Sequence, residues 1–311
     1  MRALRVNSED GPDALALEDV PEPDGDFVVA VKAAAVSFPD LLMTRGQYQV
    51  RQPPPFTLGW EAAGDVLRAP ADSPLHPGDR VTTLTFGSHA EQVAALPETT
   101  FPLPATLSYE EGAALPLNYL TAVAALERRG RLQAGETVLI HGAAGGVGTA
   151  TIQVAEALGA RAIASVSTDA KAEIAREAGA DEVAVGEDFR SQLDGPVDLI
   201  IDPVGGTERF KESLRALKPE GRLVVVGFTS GEIPEIRVNR LLLRNVDVCG
   251  CSFDVLAAGG GFAAPMGRLF ELVEGGSIRP LIGSTYRLED GPAALREIDE
   301  RRATGKVVLT I

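Results

Sequence analysis

The sequence is short of cysteine, histidine and basic residues, and each shortage excludes a class of protein. Its 311 residues include 2 cysteines and 3 histidines. Cys249 and Cys251 stand one residue apart, which rules out a disulfide framework and a four-cysteine zinc site, and we expect both to lie in a buried strand. The 29 Lys and Arg against 44 Asp and Glu give a net charge of −15. That charge repels nucleic acid and anionic membrane surfaces, so we expect neither as a partner.

Long apolar runs are also missing. The first ten residues carry acids where a secretory signal needs an apolar stretch, and no later segment reaches about 18 uninterrupted apolar residues. We therefore expect a cytoplasmic protein without membrane spans. The 45% of hydrophobic residues and the 33 glycines exclude disorder. At roughly 150 residues per domain, the length predicts two domains.

The chain shows two successive sequence patterns. From residue 1 to about 115, short apolar runs alternate with Pro and Gly, a pattern typical of an all-β, barrel-like domain. From about 135, strands and helices alternate up to a strand near Val246 to Cys249, which predicts a doubly wound parallel sheet of six strands in an α/β fold. The tail after 252 is expected to return to the first domain. The predicted domains are 1–115 with 253–311, and 116–252.

A glycine-rich loop joins the first predicted strand, 137–141, to a helix. It reads Gly142-Ala143-Ala144-Gly145-Gly146-Val147-Gly148. In this setting the glycines predict a dinucleotide site: Gly145 and Gly146 let a pyrophosphate approach backbone N–H groups, and Gly148 lets the helix pack on the strand. Ala143 stands where the commonest fingerprint has its first glycine. Ala144, Gly145, Gly146 and Val147 are the predicted phosphate contacts.

The end of the second predicted strand indicates which cofactor is bound. NAD enzymes carry an acid there for the ribose 2′-hydroxyl, whereas this chain has Val166. Ser167, Thr168 and Lys171 offer two hydroxyls and a cation, which suit a 2′-phosphate. The prediction is NADPH. Asp169 is unfavourable beside a phosphate unless it caps the next helix.

The chain resembles the medium-chain dehydrogenase/reductase superfamily, and within it the zinc-independent quinone oxidoreductases, the zeta-crystallin-like group. The likeness covers nearly the whole chain. It rests on seven segments in order: 31–40 (VKAAAVSFPD), 45–48 (RGQY), 58–64 (LGWEAAG), 77–81 (PGDRV), 115–122 (LPLNYLTA), the glycine loop and 305–308 (GKVV). The resemblance implies a GroES-like β-barrel catalytic domain built from both chain ends, plus a Rossmann cofactor domain inserted between them.

The resemblance also implies chemistry without a metal. Zinc-dependent relatives carry cysteine where this chain has Ser37 and histidine where it has Trp60. Neither replacement is a plausible zinc ligand, so no metal is expected. Hydrogen-bond donors must then stabilise the charge that develops on the acceptor oxygen. Tyr48 is the candidate donor by resemblance, either as a general acid or as a neighbour of the nicotinamide; the alternative is a surface tyrosine on a loop.

Further site residues follow from the same resemblance. Ser37 and Asp40 are expected to line the catalytic pocket, with Asp40 ordering the loop through Arg45. Asn118 and Thr121 are expected near the nicotinamide, or else as helix caps. Lys306 is expected either to reach the cofactor or to be an exposed strand lysine, and His141 to bond to backbone. The remaining predicted cofactor contacts are Val204, then Gly227 and Phe228, which are expected to end the fifth strand of the sheet, and Cys251, Ser252 and Phe253, which follow the sixth.

These residues predict an NADPH-dependent reductase of quinones or of α,β-unsaturated carbonyl compounds, and the sequence leaves the choice between the two acceptors open. The alternative is an NADPH-binding sensor or structural protein with little turnover. Relatives in this group often dimerise through the last Rossmann strand, here near Val246 to Gly250, so a homodimer is expected. An apolar edge strand of this kind needs covering.

Overall fold

Both ends of the chain contribute to one β structure, and the middle of the chain forms a separate parallel sheet. A computed structural model describes residues 1–253, 255 and 261–311. The chain divides into a first unit of Met1–Leu117, Gly261–Glu274 and Pro280–Ile311, and a second unit of Asn118–Gly260 and Gly275–Arg279. The first boundary therefore lies within a helix, two residues beyond the predicted one, and the second lies after the predicted position.

The strands and helices follow one another along the chain as follows. The strands are β1 (Arg2–Val6), β2 (Leu15–Asp19), β3 (Val28–Val36), β4 (Phe56–Thr57), β5 (Glu61–Arg68), β6 (Arg80–Leu84), β7 (Gln92–Ala94), β8 (Thr100–Pro102), β9 (Thr137–His141), β10 (Arg161–Val166), β11 (Glu182–Val185), β12 (Val197–Asp202), β13 (Leu217–Val225), β14 (Asp247–Gly250), β15 (Ile282–Arg287) and β16 (Lys306–Thr310). The helices are α1 (Phe38–Met43), α2 (Tyr109–Ala114), α3 (Pro116–Val123), α4 (Gly146–Ala157), α5 (Asp169–Glu177), α6 (Thr207–Ala216), α7 (Asn239–Leu242), α8 (Ala263–Glu274) and α9 (Gly291–Asp299), with a π-helical segment at Ala124–Arg129.

The first unit contains a seven-stranded sheet and a three-stranded sheet. The larger sheet runs in the order β15-β16-β3-β5-β6-β8, with β7 paired to β3, and the smaller runs β2-β1-β4. The last strand pairs antiparallel with β3, from Val307 opposite Val36 to Thr310 opposite Ala33. Leu4, Leu41, Leu295 and Leu309 share one buried cluster. The C-terminal tail thus completes the N-terminal domain, as the sequence predicts.

The second unit is a six-stranded parallel sheet in the order β11-β10-β9-β12-β13-β14. In the unit's own strand numbering this is 3-2-1-4-5-6, the order of dinucleotide-binding folds, whose ligands bind at the carboxyl edge where the strand order reverses. Here that point lies between β9 and β12. The sequence predicts six strands for this sheet, and the described residues form six. The predicted fold class, a β domain with a doubly wound parallel sheet inserted into it, is confirmed.

Candidate active site

The glycine loop forms an open cradle at the end of β9. Gly142 has φ +58°, Gly145 caps α4, and the helix begins at Gly146. A side-chain carbon at Gly148 would lie 2.4 Å from the Gly142 oxygen, so only glycine allows this packing. A side-chain carbon at Gly145 would meet only the Gly142 oxygen, at 3.5 Å. The N–H groups of the first turn of α4 lack helical acceptors and are suited to a phosphate.

The ribose side of the cradle carries hydroxyls at an exposed corner. β10 ends at Val166, and Ser167 and Thr168 are exposed. Thr168 caps α5, since its Oγ1 accepts the Lys171 N–H at 3.3 Å. The expectation that Asp169 caps this helix is therefore wrong, because the cap position falls one residue earlier. The Thr168 hydroxyl keeps its proton for donation to an anion.

The opposite side of the cradle is built on Asp202 at the end of β12. Asp202 Oδ1 accepts the N–H groups of Val204 and Gly205, each at 2.9 Å, and burial raises the pKa of its carboxyl. This turn brings Val204 against the glycine loop, where a side-chain carbon at Gly142 would lie 2.9 Å from Val204 Cγ2. Phe228 packs in turn against Gly205. Val204 and Phe228 are thus neighbours of the cradle.

The segment after β14 is only partly available for contacts. The Cys251 N–H donates to the Val225 oxygen at 2.9 Å, so this N–H is already used within the sheet. Burial raises the pKa of the Cys251 thiol to about 11, so it stays protonated at neutral pH. Ser252 is exposed and Phe253 half-buried. Cys249 is also half-buried, on an edge strand whose other residues are exposed; its predicted burial is wrong because β13 covers β14 on one side only.

Helix α3 carries the two polar residues expected near the nicotinamide. Asn118 and Thr121 are buried, and the helix begins at Pro116. Both residues lie inside the helix, so the alternative that they act as caps is wrong. β13 ends at Val225, so Gly227 and Phe228 follow this strand instead of ending it.

The histidine bordering the glycine loop has a different partner from the expected one. His141 Nε2 lies 2.8 Å from the Ser213 hydroxyl, on α6, instead of bonding to backbone. Its ring stands edge-on to Phe189. Burial lowers its pKa to about 3, so the ring is neutral. His141 is therefore a packed core residue of the second unit.

In the first unit, Ser37 is the N-cap of α1 and Asp40 lies in the first turn of this helix. Asp40 Oδ2 accepts the Ser37 N–H at 2.7 Å, and the Asp40 side chain is fully buried. Its other oxygen, Oδ1, has no partner among the described residues, and burial raises the pKa of the carboxyl to about 7. One expectation for Asp40 is wrong, because Arg45 pairs with Asp299 at 2.6 Å instead of with Asp40. Its predicted place in the catalytic pocket stays a prediction.

Lys306 is the first residue of β16 and is buried, so the alternative of an exposed strand lysine is wrong. Its Nζ lies 2.6 Å from Glu61 Oε1 and 2.7 Å from Ser37 Oγ. Glu61, the first residue of β5, is 0% exposed, and its Oε2 accepts the Leu117 N–H at 2.8 Å. Sequence analysis did not identify Glu61 as a site residue. The one sequence feature that could have indicated this pair is that an acid and a lysine each stand at the first position of a strand.

Tyr48 lies in an aromatic group rather than on a free surface loop. It is half-buried, and its ring stands edge-on to Trp60 with centroids 5.9 Å apart. Trp60 contacts Phe86 at 5.1 Å between centroids, and its indole N–H is buried without a partner among the described residues. Beside Tyr48 lies a pocket of about 160 Å³ that includes Met43 and Gly46.

The side chains around Ser37 do not fit a zinc ion. A serine hydroxyl and a tryptophan indole are not zinc ligands, and the Glu61 carboxylate is already paired with the Lys306 ammonium. Over 1–253, 255 and 261–311, no three His, Cys, Asp or Glu side chains are grouped to hold a metal. In the same ranges no helix has the length and apolar character needed to cross a membrane.

The two folds and the glycine cradle together define a two-domain dinucleotide-dependent oxidoreductase. Residues 23–112 match the alcohol dehydrogenase GroES-like domain, and residues 146–255 match the zinc-binding dehydrogenase family. The chain is 38% identical over 304 residues to the quinone oxidoreductase-like protein 2 of Bos taurus, and the aligned region covers 91% of this chain and 84% of the relative. It is 33% identical to the quinone oxidoreductase of Mus musculus, over 100% of this chain and 98% of the relative.

Two solved structures are also similar to this chain over its whole length. The quinone oxidoreductase of Thermus thermophilus, solved also in complex with NADPH, is 36% identical with a TM-score of 0.85, over 100% of both chains. A mycobacterial protein complexed with NADPH is 31% identical with a TM-score of 0.92, again over 100% of both chains. This chain belongs to the medium-chain dehydrogenase/reductase superfamily and to its quinone oxidoreductase, zeta-crystallin-like, group.

Proposed function

We propose that this protein is an NADPH-dependent, metal-independent reductase of quinones or of alkenes conjugated to a carbonyl. The observation that carries the proposal is the similarity, over the whole of both chains, to a quinone oxidoreductase solved with NADPH. When bound, NADPH supplies a hydride from its nicotinamide. The acceptor gains that hydride and a proton, so that a quinone leaves as a hydroquinone and an enone as the saturated carbonyl compound.

The chain's own residues fit this cofactor. The N–H groups at the start of α4, over Gly146 and Val147, hold the pyrophosphate, because the site has room and the helix end is positive. Ser167, Thr168 and Lys171 hold the 2′-phosphate, with Val166 instead of an acid at the end of β10. The contacts proposed for the rest of the cofactor are those of Thr121, Ala144, Gly145, Val204, Gly227, Phe228, Cys251, Ser252 and Phe253.

Aromatic and hydroxyl groups of the first unit suit the acceptor. The Tyr48, Trp60 and Phe86 rings offer an apolar surface with a phenol hydroxyl, which favours flat conjugated molecules. Tyr48, Ser37 and Asn118 are the groups we propose to contact the acceptor or the nicotinamide, with Tyr48 as the proton donor. The predicted catalytic roles of these residues stay predictions, as does the cytoplasmic location.

We also propose a homodimer formed through β14. This strand is an edge of the six-stranded sheet. Exposed apolar side chains lie on it, at Val248, and before it in the sequence, at Val238, Leu242 and Leu243, with Leu243 77% exposed. An edge strand with such a surface is a template for pairing with a second copy. Antiparallel pairing of two β14 strands would bury both edges.

The test is steady-state oxidation of NADPH, and separately of NADH, with a benzoquinone, a naphthoquinone, an enone and an enoyl thioester, each with and without a chelator. We expect turnover with NADPH that the chelator leaves unchanged, and the preferred acceptor selects between the two chemistries. Loss of activity with chelator would reject the metal-free proposal. Saturable NADPH binding without turnover of any acceptor would favour the sensor.

A further inference from the structure

A charged cluster inside the first unit has no function assigned so far. Lys306, on β16, and Ser37, before α1, are 269 positions apart in sequence, and their side chains meet at 2.7 Å. Glu61, on β5, lies 2.6 Å from the same ammonium. A buried ion pair of this kind contributes little net stability compared with apolar packing, because both charges lose their hydration. The presence of this pair therefore calls for a reason other than stability.

The hydrogen bonds of the cluster give the Ser37 hydroxyl proton only a weak acceptor. Ser37 Oγ accepts from Lys306, so its own O–H needs an acceptor. Within the described part of the chain the recorded acceptor is Glu61 Oε1 at 3.5 Å, a long contact to an oxygen already bound to Lys306. Glu61 Oε2 is held by the Leu117 N–H at 2.8 Å, which fixes the carboxylate. The Ser37 hydroxyl is thus a donor without a good internal partner.

We propose that Lys306 is a positioning residue that acts through Ser37: its ammonium bond orients and polarises the hydroxyl, which donates to the developing oxyanion of the acceptor. Glu61 holds the ammonium in place. This inference rests on the proposed function, which assigns Ser37 to the acceptor pocket. A donor whose oxygen accepts a charge-assisted bond is itself a stronger donor, since linked hydrogen bonds polarise one another.

This arrangement accounts for the disagreement with zinc. A metal polarises a carbonyl oxygen by its positive charge. Here the positive charge is the Lys306 ammonium, which reaches the acceptor through one hydroxyl. No proton leaves Ser37 or Lys306, because the hydroxyl only donates a hydrogen bond, and the proton that balances the hydride comes from another group. The role is electrostatic stabilisation of the transition state.

The test is a double-mutant cycle between Ser37 and the ion pair. Lys306→Met alone would leave Glu61 as an unpaired buried charge, so the pair is removed together as Lys306→Met with Glu61→Gln. The amide oxygen introduced by Glu61→Gln can still accept the Leu117 N–H. Ser37→Ala removes the hydroxyl but keeps the backbone bond to Asp40, and Ser37→Thr keeps a hydroxyl. Lys32→Met, an exposed lysine on β3, is the matched control.

With the acceptor that the wild type prefers, we expect Ser37→Ala to lower kcat about 100-fold, the usual cost of one oxyanion donor, and the pair variant to lower it about 10-fold. The triple variant should fall within about 3-fold of Ser37→Ala, because the pair acts through the hydroxyl. KM for NADPH should stay within about 2-fold, and kcat of Lys32→Met near wild type, whereas Ser37→Thr, which keeps a hydroxyl, should lose less kcat than Ser37→Ala. Losses that multiply in the triple variant, or an unchanged kcat in the pair variant, would overturn the proposal.

A second readout needs neither cofactor nor turnover. In the cofactor-free protein, Ser37→Ala should lower Tm by about 2 to 4 °C, since it removes a charge-assisted hydrogen bond. In the pair variant the same substitution should change Tm by less than about 1 °C. An equal decrease in both backgrounds would refute the contact itself. Wild-type protein that turns over no acceptor, with these Tm shifts intact, would reject the proposed function while leaving the cluster's geometry supported.

Discussion

Burial of Asp40 predicts a stability that falls as pH rises. Its carboxyl is fully buried, and its pKa is raised from 3.8 to about 7, first by desolvation and then by the nearby Glu61, against the favourable effects of the Ser37 N–H and Lys306. A raised pKa means that the folded protein binds this proton more tightly than the unfolded chain. The contribution is therefore complete below about pH 4 and is lost as pH rises towards 7.

Asp40→Asn isolates this contribution. The amide oxygen can still accept the Ser37 N–H, and the side chain never ionises. A shift of about three pKa units corresponds to about 4 kcal/mol at most, at about 1.4 kcal/mol per unit. We expect the unfolding free energy of the variant to equal that of the wild type near pH 4, and to exceed it by about 2 to 4 kcal/mol at pH 8.

Urea unfolding followed by the fluorescence of Trp60, the single tryptophan, reports on the unit that holds Asp40. His89 and His141 are buried with pKa values lowered to about 4 and about 3, so acidification through pH 6.5 destabilises both proteins alike. The comparison therefore uses the difference between variant and wild type at each pH. A difference that stays constant, or that turns against the variant above pH 7, would mean that the carboxylate is ionised and needed in the fold.

Three further predictions concern the cofactor site and the dimer. Lys171→Ala should raise KM for NADPH about 10- to 100-fold and leave KM for NADH unchanged, since it removes a charged bond to the 2′-phosphate; equal effects on both would reject that assignment. Gly148→Ala should weaken NADPH binding in titrations and lower Tm, because its side-chain carbon would lie 2.4 Å from the Gly142 oxygen, while Gly195→Ala, which meets nothing within 4 Å, should be silent. Leu243→Lys should shift the protein from dimer to monomer in size-exclusion chromatography with light scattering, whereas Leu67→Lys, exposed on β5, should not; a monomeric wild type would refute the interface.

The second unit was the easier one to predict, because its signals are local. Thr137 to His141 and Val197 to Asp202 are nearly continuous apolar runs, which is typical of buried parallel strands. The position of the glycine loop then follows from chain order alone. Glu182–Val185 is an edge strand of four residues that begins with an acid. Its place depends on pairing with β10, which no local pattern records.

The side-chain errors share one physical cause. Asp40 and Arg45 are close in sequence and opposite in charge, yet Arg45 pairs with Asp299, which only the folded tail brings near. Cys249 looked buried because its segment is apolar, but the segment is a sheet edge. In both cases the environment of the side chain is set by residues far away in the sequence. Composition and spacing report what a residue can do, and tertiary contacts decide which partner it has.

Lys306 is the strongest instance of this dependence. Its segment, Gly305-Lys306-Val307-Val308, permits either an exposed lysine or one that reaches a ligand, and the charge gives no preference. Gly305 has φ +56°, and a side-chain carbon there would lie 2.6 Å from the Leu281 oxygen, so this residue fixes where the strand starts. Pairing of β16 with β3 then directs the ammonium to Ser37 and Glu61. A cation that the backbone holds this firmly can stabilise a developing charge without reorganising, which is the advantage that a bound metal gives in other enzymes.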